Sequence, residues 1–121
     1  MDSKSDHNPY TYQRLKHLYP DYFSAMEALG TAVHHAGPLD EKTIQLIQLS
    51  AASAIRSEGA VHSHTRRALA AGATTEEIHH TLIALTSTIG FPTVIAAMSW
   101  VDDVLGKGGN AVPDSEVPDY R

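Results

Sequence analysis

Apolar side chains recur every three or four residues from residue 10 to residue 105, the spacing that places them on one face of an α-helix. No alternating pattern of apolar and polar residues long enough for a β-strand interrupts this spacing. The clearest runs are Tyr22, Met26, Leu29 and Val33; Ile44, Ile47, Ala51 and Ile55; Ile78, Leu82, Leu85 and Ile89; and Val94, Met98, Val101 and Leu105. The spacing therefore predicts an all-α protein, a compact bundle of about six helices.

Helix caps and helix breakers separate these runs. Asp40 is a favoured N-cap residue, and Thr74 with Glu77 forms the pattern of a capping box. Pro92 follows Gly90 and suits the first turn of a helix. These signals predict breaks near residues 19–20, 36–39, 57–59, 72–74 and 90–91.

The length and composition indicate a single domain. The chain has 121 residues, of which 42% are hydrophobic, enough for a core without covalent cross-links. Residues 1–9 and 106–121 are rich in Gly, Pro, Asp and Ser, and we expect two flexible tails around a domain at 10–105. The formal net charge of −5 argues against a nucleic-acid partner. With no apolar stretch long enough for a membrane and no secretory signal, we expect a cytoplasmic protein.

The absence of cysteine limits the chemistry most sharply. A chain with no cysteine has no disulfide, no thiolate metal ligand, no iron–sulfur cluster and no thiol nucleophile. Histidine is the remaining side chain that exchanges protons near neutral pH, and the chain has eight of them.

His64 is the histidine whose position is most informative. It shares a helical face with Val61 and Ala68, so its ring must find a hydrogen-bond partner, in a structural or a catalytic role. His62 precedes it by two residues and points elsewhere on a helix, so the two do not form a helical metal-binding pair. We predict no metal and no cofactor.

The segment from Leu39 to Pro92 resembles the carboxymuconolactone decarboxylase family, which includes the alkylhydroperoxidase D-like proteins. The resemblance rests on HTRRALAAGATTEEI, which runs from His64 to Ile78, and on the later Gly90-Phe91-Pro92. It covers residues 20–106 and implies an all-α, alkylhydroperoxidase D-like fold. It also implies a homo-oligomer, a trimer or hexamer. The crowding of five aromatic residues into the first 23 positions favours such an assembly independently.

The peroxidase branch of the family carries the motif C-x-x-C-x-x-x-H and a glutamate on the preceding helix. Counted back from His64, its two cysteines fall on Ser57 and Ala60, and its glutamate falls on Gln45. Because a dithiol peroxidase needs both thiols, the resemblance excludes that activity here. The decarboxylase branch needs no cysteine and has a glutamate at the position of Ala60, two residues from Glu58.

Two hypotheses remain open. In the first, the protein performs acid/base chemistry on a small carboxylated lactone or a related metabolite. His64 is then the catalytic residue, and the substrate is bound by Gln45, Ser57, Glu58 and His62. In the second, the protein is a non-catalytic oligomeric binding or scaffold protein that has lost the family's redox relay.

Overall fold

The computed structural model describes residues 9–106, and within that range every regular element is a helix. Seven helices follow one another: α1 (Pro9–Leu18), α2 (Pro20–His34), α3 (Glu41–Ala54), α4 (Glu58–Ala70), α5 (Thr75–Ile83), α6 (Thr86–Ile89) and α7 (Phe91–Leu105). The predicted all-α fold is confirmed. Six helices are longer than two turns, and α6 is a single turn of four residues. The seventh helix arises because the fifth predicted helix is interrupted at Ala84 and Leu85 and so divides into α5 and α6. The predicted tails lie outside the described residues, apart from Pro9 and Gly106.

The caps predicted from the sequence are in place. The Asp40 carboxylate accepts a hydrogen bond from the backbone N–H of Thr43 at 2.8 Å, which fixes the start of α3. Thr74 and Glu77 form the complete capping box at the start of α5. Helix α4 differs from the prediction, because it begins at Glu58 rather than at residue 60. An acidic side chain in the first turn is favoured by the helix dipole, which explains why Glu58 is helical.

The core lies among α3, α4, α5 and α7. Its fully buried members include Leu49, Val61, Ile78, Leu82 and Val101. Each large aliphatic side chain contributes about 1.5–3 kcal/mol by leaving water. The stripes predicted for α5 and α7 therefore do face the core.

The stripe predicted on α2 is exposed, and the stripe predicted on α3 faces the core only in part. Ile44 is buried, but Ile47 is 50% exposed and Ile55 is 75% exposed. The core face of α3 is instead formed by Leu49 and Ala52 together with the polar Gln45 and Ser53. A hydrophobicity pattern could not select this face because two of its residues are polar.

Helices α1 and α2 form a hairpin with a small interior of its own. Phe23 is buried there, and the ring of Tyr12 meets it edge-on with the ring centres 4.7 Å apart. Most of the remaining apolar surface of the hairpin is open. Its exposed large side chains are Tyr10, Tyr12, Leu18, Tyr19, Tyr22, Met26, Leu29 and Val33. No helix within residues 9–106 is long and apolar enough to cross a membrane.

Candidate functional site

A tight turn brings α3 and α4 side by side and sets Gln45 opposite His64. The turn spans Ile55 to Ser57, and Arg56 adopts a left-handed backbone conformation with φ of 57°. The Arg56 guanidinium donates to the Thr93 hydroxyl at 3.1 Å, which also joins the turn to α7.

Four side chains from three helices form a continuous hydrogen-bonded chain at this place. Nδ1 of His64 lies 2.9 Å from Oε1 of Gln45, and Nε2 of Gln45 lies 3.0 Å from Oε2 of Glu41. The other carboxylate oxygen of Glu41 lies 3.0 Å from Nδ1 of His34. We call this chain of residues, His64–Gln45–Glu41–His34, the polar chain.

The direction of each hydrogen bond follows from the chemistry of Glu41. A carboxylate only accepts, so the Gln45 amide nitrogen must donate to it, and the Gln45 carbonyl must face His64. His64 therefore carries its proton on Nδ1, which leaves the lone pair of Nε2 available to accept one. Gln45 fixes the orientation of the His64 ring relative to Glu41, but an amide does not pass a proton between its neighbours.

The surroundings of His64 favour its neutral form. Burial lowers the pKa of the His64 imidazole below the ordinary 6.5, and the positive charges of Arg67 and His34 lower it further. His64 is half-buried, whereas Gln45 is only 1% exposed. At neutral pH the ring is consequently a base with a free Nε2.

Two neighbouring cavities border the polar chain. The larger, of about 800 Å³, lies between the α1–α2 hairpin and the start of α3, with an apolar wall that includes Tyr12, Phe23 and Met26. The smaller, of about 360 Å³, is lined by His34, Glu41, Gln45, Arg67, Ala70 and Ala71. His34, Glu41 and Arg67 line both cavities, so each has an apolar part and a charged end.

His64 lines neither cavity. Two residues that line the smaller cavity lie next to His64. Gln45 is hydrogen-bonded to its ring, and Arg67 lies one helical turn further along α4. The sequence suggests Arg67 as a positive charge for a carboxylate, whereas His34 and Glu41, which also line both cavities, are not among the site residues predicted from the sequence. The contact between His34 and Glu41 joins two helices, so no local motif marks it.

The other three residues predicted to contact substrate lie apart from His64 in this arrangement. Ser57 occupies the N-cap position of α4, although its side chain makes no capping hydrogen bond. His62 is fully buried, and its Nε2 lies 3.0 Å from Oδ2 of Asp103 and 4.0 Å from Oε2 of Glu58. His62 and Glu58 thus face α7, while His64 faces α3.

Sequence and structure comparisons agree on the family. The sequence profile of the carboxymuconolactone decarboxylase family matches residues 20–103. The chain belongs to this family. An uncharacterized protein of Methanocaldococcus jannaschii is 29% identical over 96 residues, which cover 79% of this chain and 90% of that protein. A carboxymuconolactone decarboxylase family protein from Legionella pneumophila, solved in an apo form, has the same fold, with a TM-score of 0.71 at 24% identity. That match covers 80% of this chain and 87% of the other.

Family membership makes the missing cysteines more informative. The chain contains no cysteine. A thiol-dependent relay therefore has no nucleophile here.

Proposed function

We propose that this protein binds a small carboxylated metabolite, such as a lactone acid, and uses His64 as the acid/base residue that acts on it. The observation that carries the proposal is the polar chain. It holds the His64 imidazole in the tautomer with a free Nε2, one helical turn from the cationic Arg67 at the cavity wall. An imidazole that is held in one orientation and exchanges protons near neutral pH suits a general acid/base residue.

Arg67 supplies the recognition element. Arg67 lines both cavities, and a guanidinium binds a carboxylate with two parallel hydrogen bonds. The apolar side chains of the larger cavity suit a hydrocarbon ring or chain attached to that carboxylate. Arg67 and His64 lie three positions apart on α4, so a carboxylate bound by Arg67 would lie within one helical turn of the His64 ring.

Decarboxylation of such a ligand fits these groups. Loss of CO₂ leaves an electron pair on carbon, and one proton must replace the carboxyl group there. His64 would take up one proton from the solvent at Nε2 and deliver it to that carbon, so that the carboxylate and one proton become CO₂ and the protonated product, while Gln45 keeps the ring in place. The reaction requires no thiol. We therefore expect turnover of hydrogen peroxide with a dithiol donor to equal a protein-free blank.

The test is an assay of CO₂ release from carboxymuconolactone, with product identified by mass spectrometry. We expect His64→Gln to abolish turnover and His80→Gln, an exposed histidine on α5, to leave it unchanged. Ligand affinity should fall in Arg67→Gln and not in Arg66→Gln, because Arg66 lines neither cavity. Equal turnover by native protein and His64→Gln would contradict the catalytic role.

A non-catalytic binding protein is the second candidate. The specific observation in its favour is Gln45, which separates His64 from the Glu41 carboxylate and blocks proton exchange between them. Under this alternative, carboxylated ligands bind in an Arg67-dependent manner and no product forms from any of them.

We further propose a homo-oligomer, a trimer or hexamer. Two apolar stripes remain open on the single chain: Tyr22, Met26, Leu29 and Val33 on α2, and Ile47 on α3 with Ile55 directly after its end. Large contiguous apolar surfaces of this kind mark protein–protein contacts in water. A second copy of the chain is the partner that the family resemblance implies.

A further inference from the structure

The buried histidine that the proposed function does not use lies in a second polar group, on the α7 side of α4. Glu58 and His62 are four residues apart and share one face of α4, and Asp103 approaches them from α7. One donor atom from each lies within 4.8 Å of the other two. Within residues 9–106, the three His, Asp or Glu side chains whose donor atoms lie this close together are those of this group.

His62 and Asp103 already have the separation that two ligands of a small cation require, and Glu58 lies close to both. Metal–ligand bonds of about 2.0–2.2 Å put neighbouring donor atoms about 3.0–3.5 Å apart. The observed distances from Nε2 of His62 are 3.0 Å to Asp103 and 4.0 Å to Glu58. A small rotation of the Glu58 side chain would complete the set, and that side chain is 29% exposed.

The charge of the group also favours a cation. The ion pairs of Glu58 and Asp103 within the described residues are both made with His62. One imidazole carries at most one positive charge against two carboxylates, and its Nε2 can donate only one hydrogen bond, which Asp103 receives at 3.0 Å. A divalent ion would neutralise both carboxylates and leave the imidazole neutral.

We infer that Glu58, His62 and Asp103 bind a divalent first-row transition-metal ion. One imidazole nitrogen and two carboxylates form a donor set suited to Zn²⁺ or Mn²⁺ rather than to Ca²⁺, which prefers oxygen donors alone. His62 is fully buried and anchors the site, while the 49% exposed side chain of Asp103 keeps the ion accessible to water. The site is separate from the polar chain and does not depend on the proposed acid/base function.

Calorimetric titration of the tag-free, full-length, metal-stripped protein with Zn²⁺ tests the inference. We expect one ion per chain, with affinity lowered about tenfold or more in Asp103→Asn and in Glu58→Gln. Asp102→Asn is the matched control. It removes the same charge from the same helix, but Asp102 pairs with His79 rather than with His62. Circular dichroism establishes that each variant keeps its helices.

A second measurement locates the ion directly. Co²⁺ bound at this site will give visible absorption bands and shift the NMR signals of residues in α4 and α7 near it. These signals should be lost in Asp103→Asn and retained in Asp102→Asn. The inference is overturned if the native chain binds neither Zn²⁺ nor Co²⁺. It is also overturned if Asp103→Asn and Glu58→Gln both bind Zn²⁺ as tightly as the native chain.

Discussion

Oε1 of Gln45 accepts a hydrogen bond from Nδ1 of His64 across the α3–α4 interface, over 2.9 Å. The same amide donates to Glu41 one turn earlier on α3. Because Gln45 is only 1% exposed, its own amide depends on these two hydrogen bonds rather than on water. Gln45 thus combines two roles, one in packing and one in orienting His64.

Gln45→Leu is predicted to lower the free energy of unfolding by about 1–3 kcal/mol, because the His64 N–H and a Glu41 oxygen lose their buried partner. Chemical denaturation measures the change. Gln48→Leu, on the same helix and only partly buried, is the matched control and should cost much less. Equal effects of the two changes would show that the hydrogen bonds of Gln45 contribute nothing beyond side-chain volume.

The His64 imidazole is predicted to titrate below 6.5, and Arg67→Gln is predicted to raise its pKa by removing a neighbouring positive charge. NMR titration of the ring protons gives both values. Arg66→Gln is the control and should shift the titration less, since Arg66 is not among the causes of the lowered pKa.

The same depressed pKa has a consequence for stability. The unfolded chain takes up the His64 proton near pH 6.5, before the folded chain does. The contribution of neutral His64 is therefore complete above pH 6.5 and is lost as pH falls from there through the lowered pKa. His64→Asn should remove this part of the pH dependence, and an unchanged stability profile would contradict the assigned direction.

Thr74→Ala is predicted to lower the free energy of unfolding by about 1 kcal/mol, because Thr74 accepts from the Glu77 N–H in the capping box of α5. Thr75→Ala, which changes the first helical residue instead of the cap, is the control for thermal or chemical unfolding.

The backbone N–H of Thr74, and then Lys42, lower the pKa of Glu77 below 4.5. Stability from Glu77 is thus present above pH 4.5 and is lost as pH falls through that lowered pKa.

Leu29→Glu is predicted to break the proposed oligomer, because it places a charge in the open apolar stripe of α2. Light scattering coupled to size-exclusion chromatography should give a trimer or hexamer for the native chain and a smaller species for the variant. Ser24→Glu, an exposed position on another face of α2, should leave the mass unchanged. A native chain that elutes at 13.1 kDa would contradict the assembly.

Local signals in the sequence were sufficient for the helices and for part of the site. Caps and breakers act within one turn, so the capping box of Thr74 and Glu77 and the helix start at Pro92 could be located directly. The closeness of His64 and Gln45 followed from helical phase and from the family offset. Their roles in binding or catalysis stay predictions.

The remaining site residues depend on contacts that a linear pattern does not encode. Glu41 and His34 meet across the α2–α3 connection, and Asp103 reaches His62 over a separation of 41 residues. The buried face of α3 contains a glutamine and a serine, so hydrophobic spacing selects Ile47 and Ile55 although both are exposed. Glu58 was read as part of a break because a glycine follows it, whereas Gly59 is buried inside α4.

The hairpin of α1 and α2 holds its own Phe23 and Tyr12 together, and it meets α3 through the ion pair of His34 with Glu41. The larger cavity has the hairpin as one wall and the first turn of α3 as another. Local opening of the hairpin consequently sacrifices few of the contacts that set the global stability, since the main core lies among the later helices. Exchange of the proposed ligand would then need only this local opening, which breaks the His34–Glu41 contact and leaves the hydrogen bonds of Gln45 with His64 and Glu41 in place.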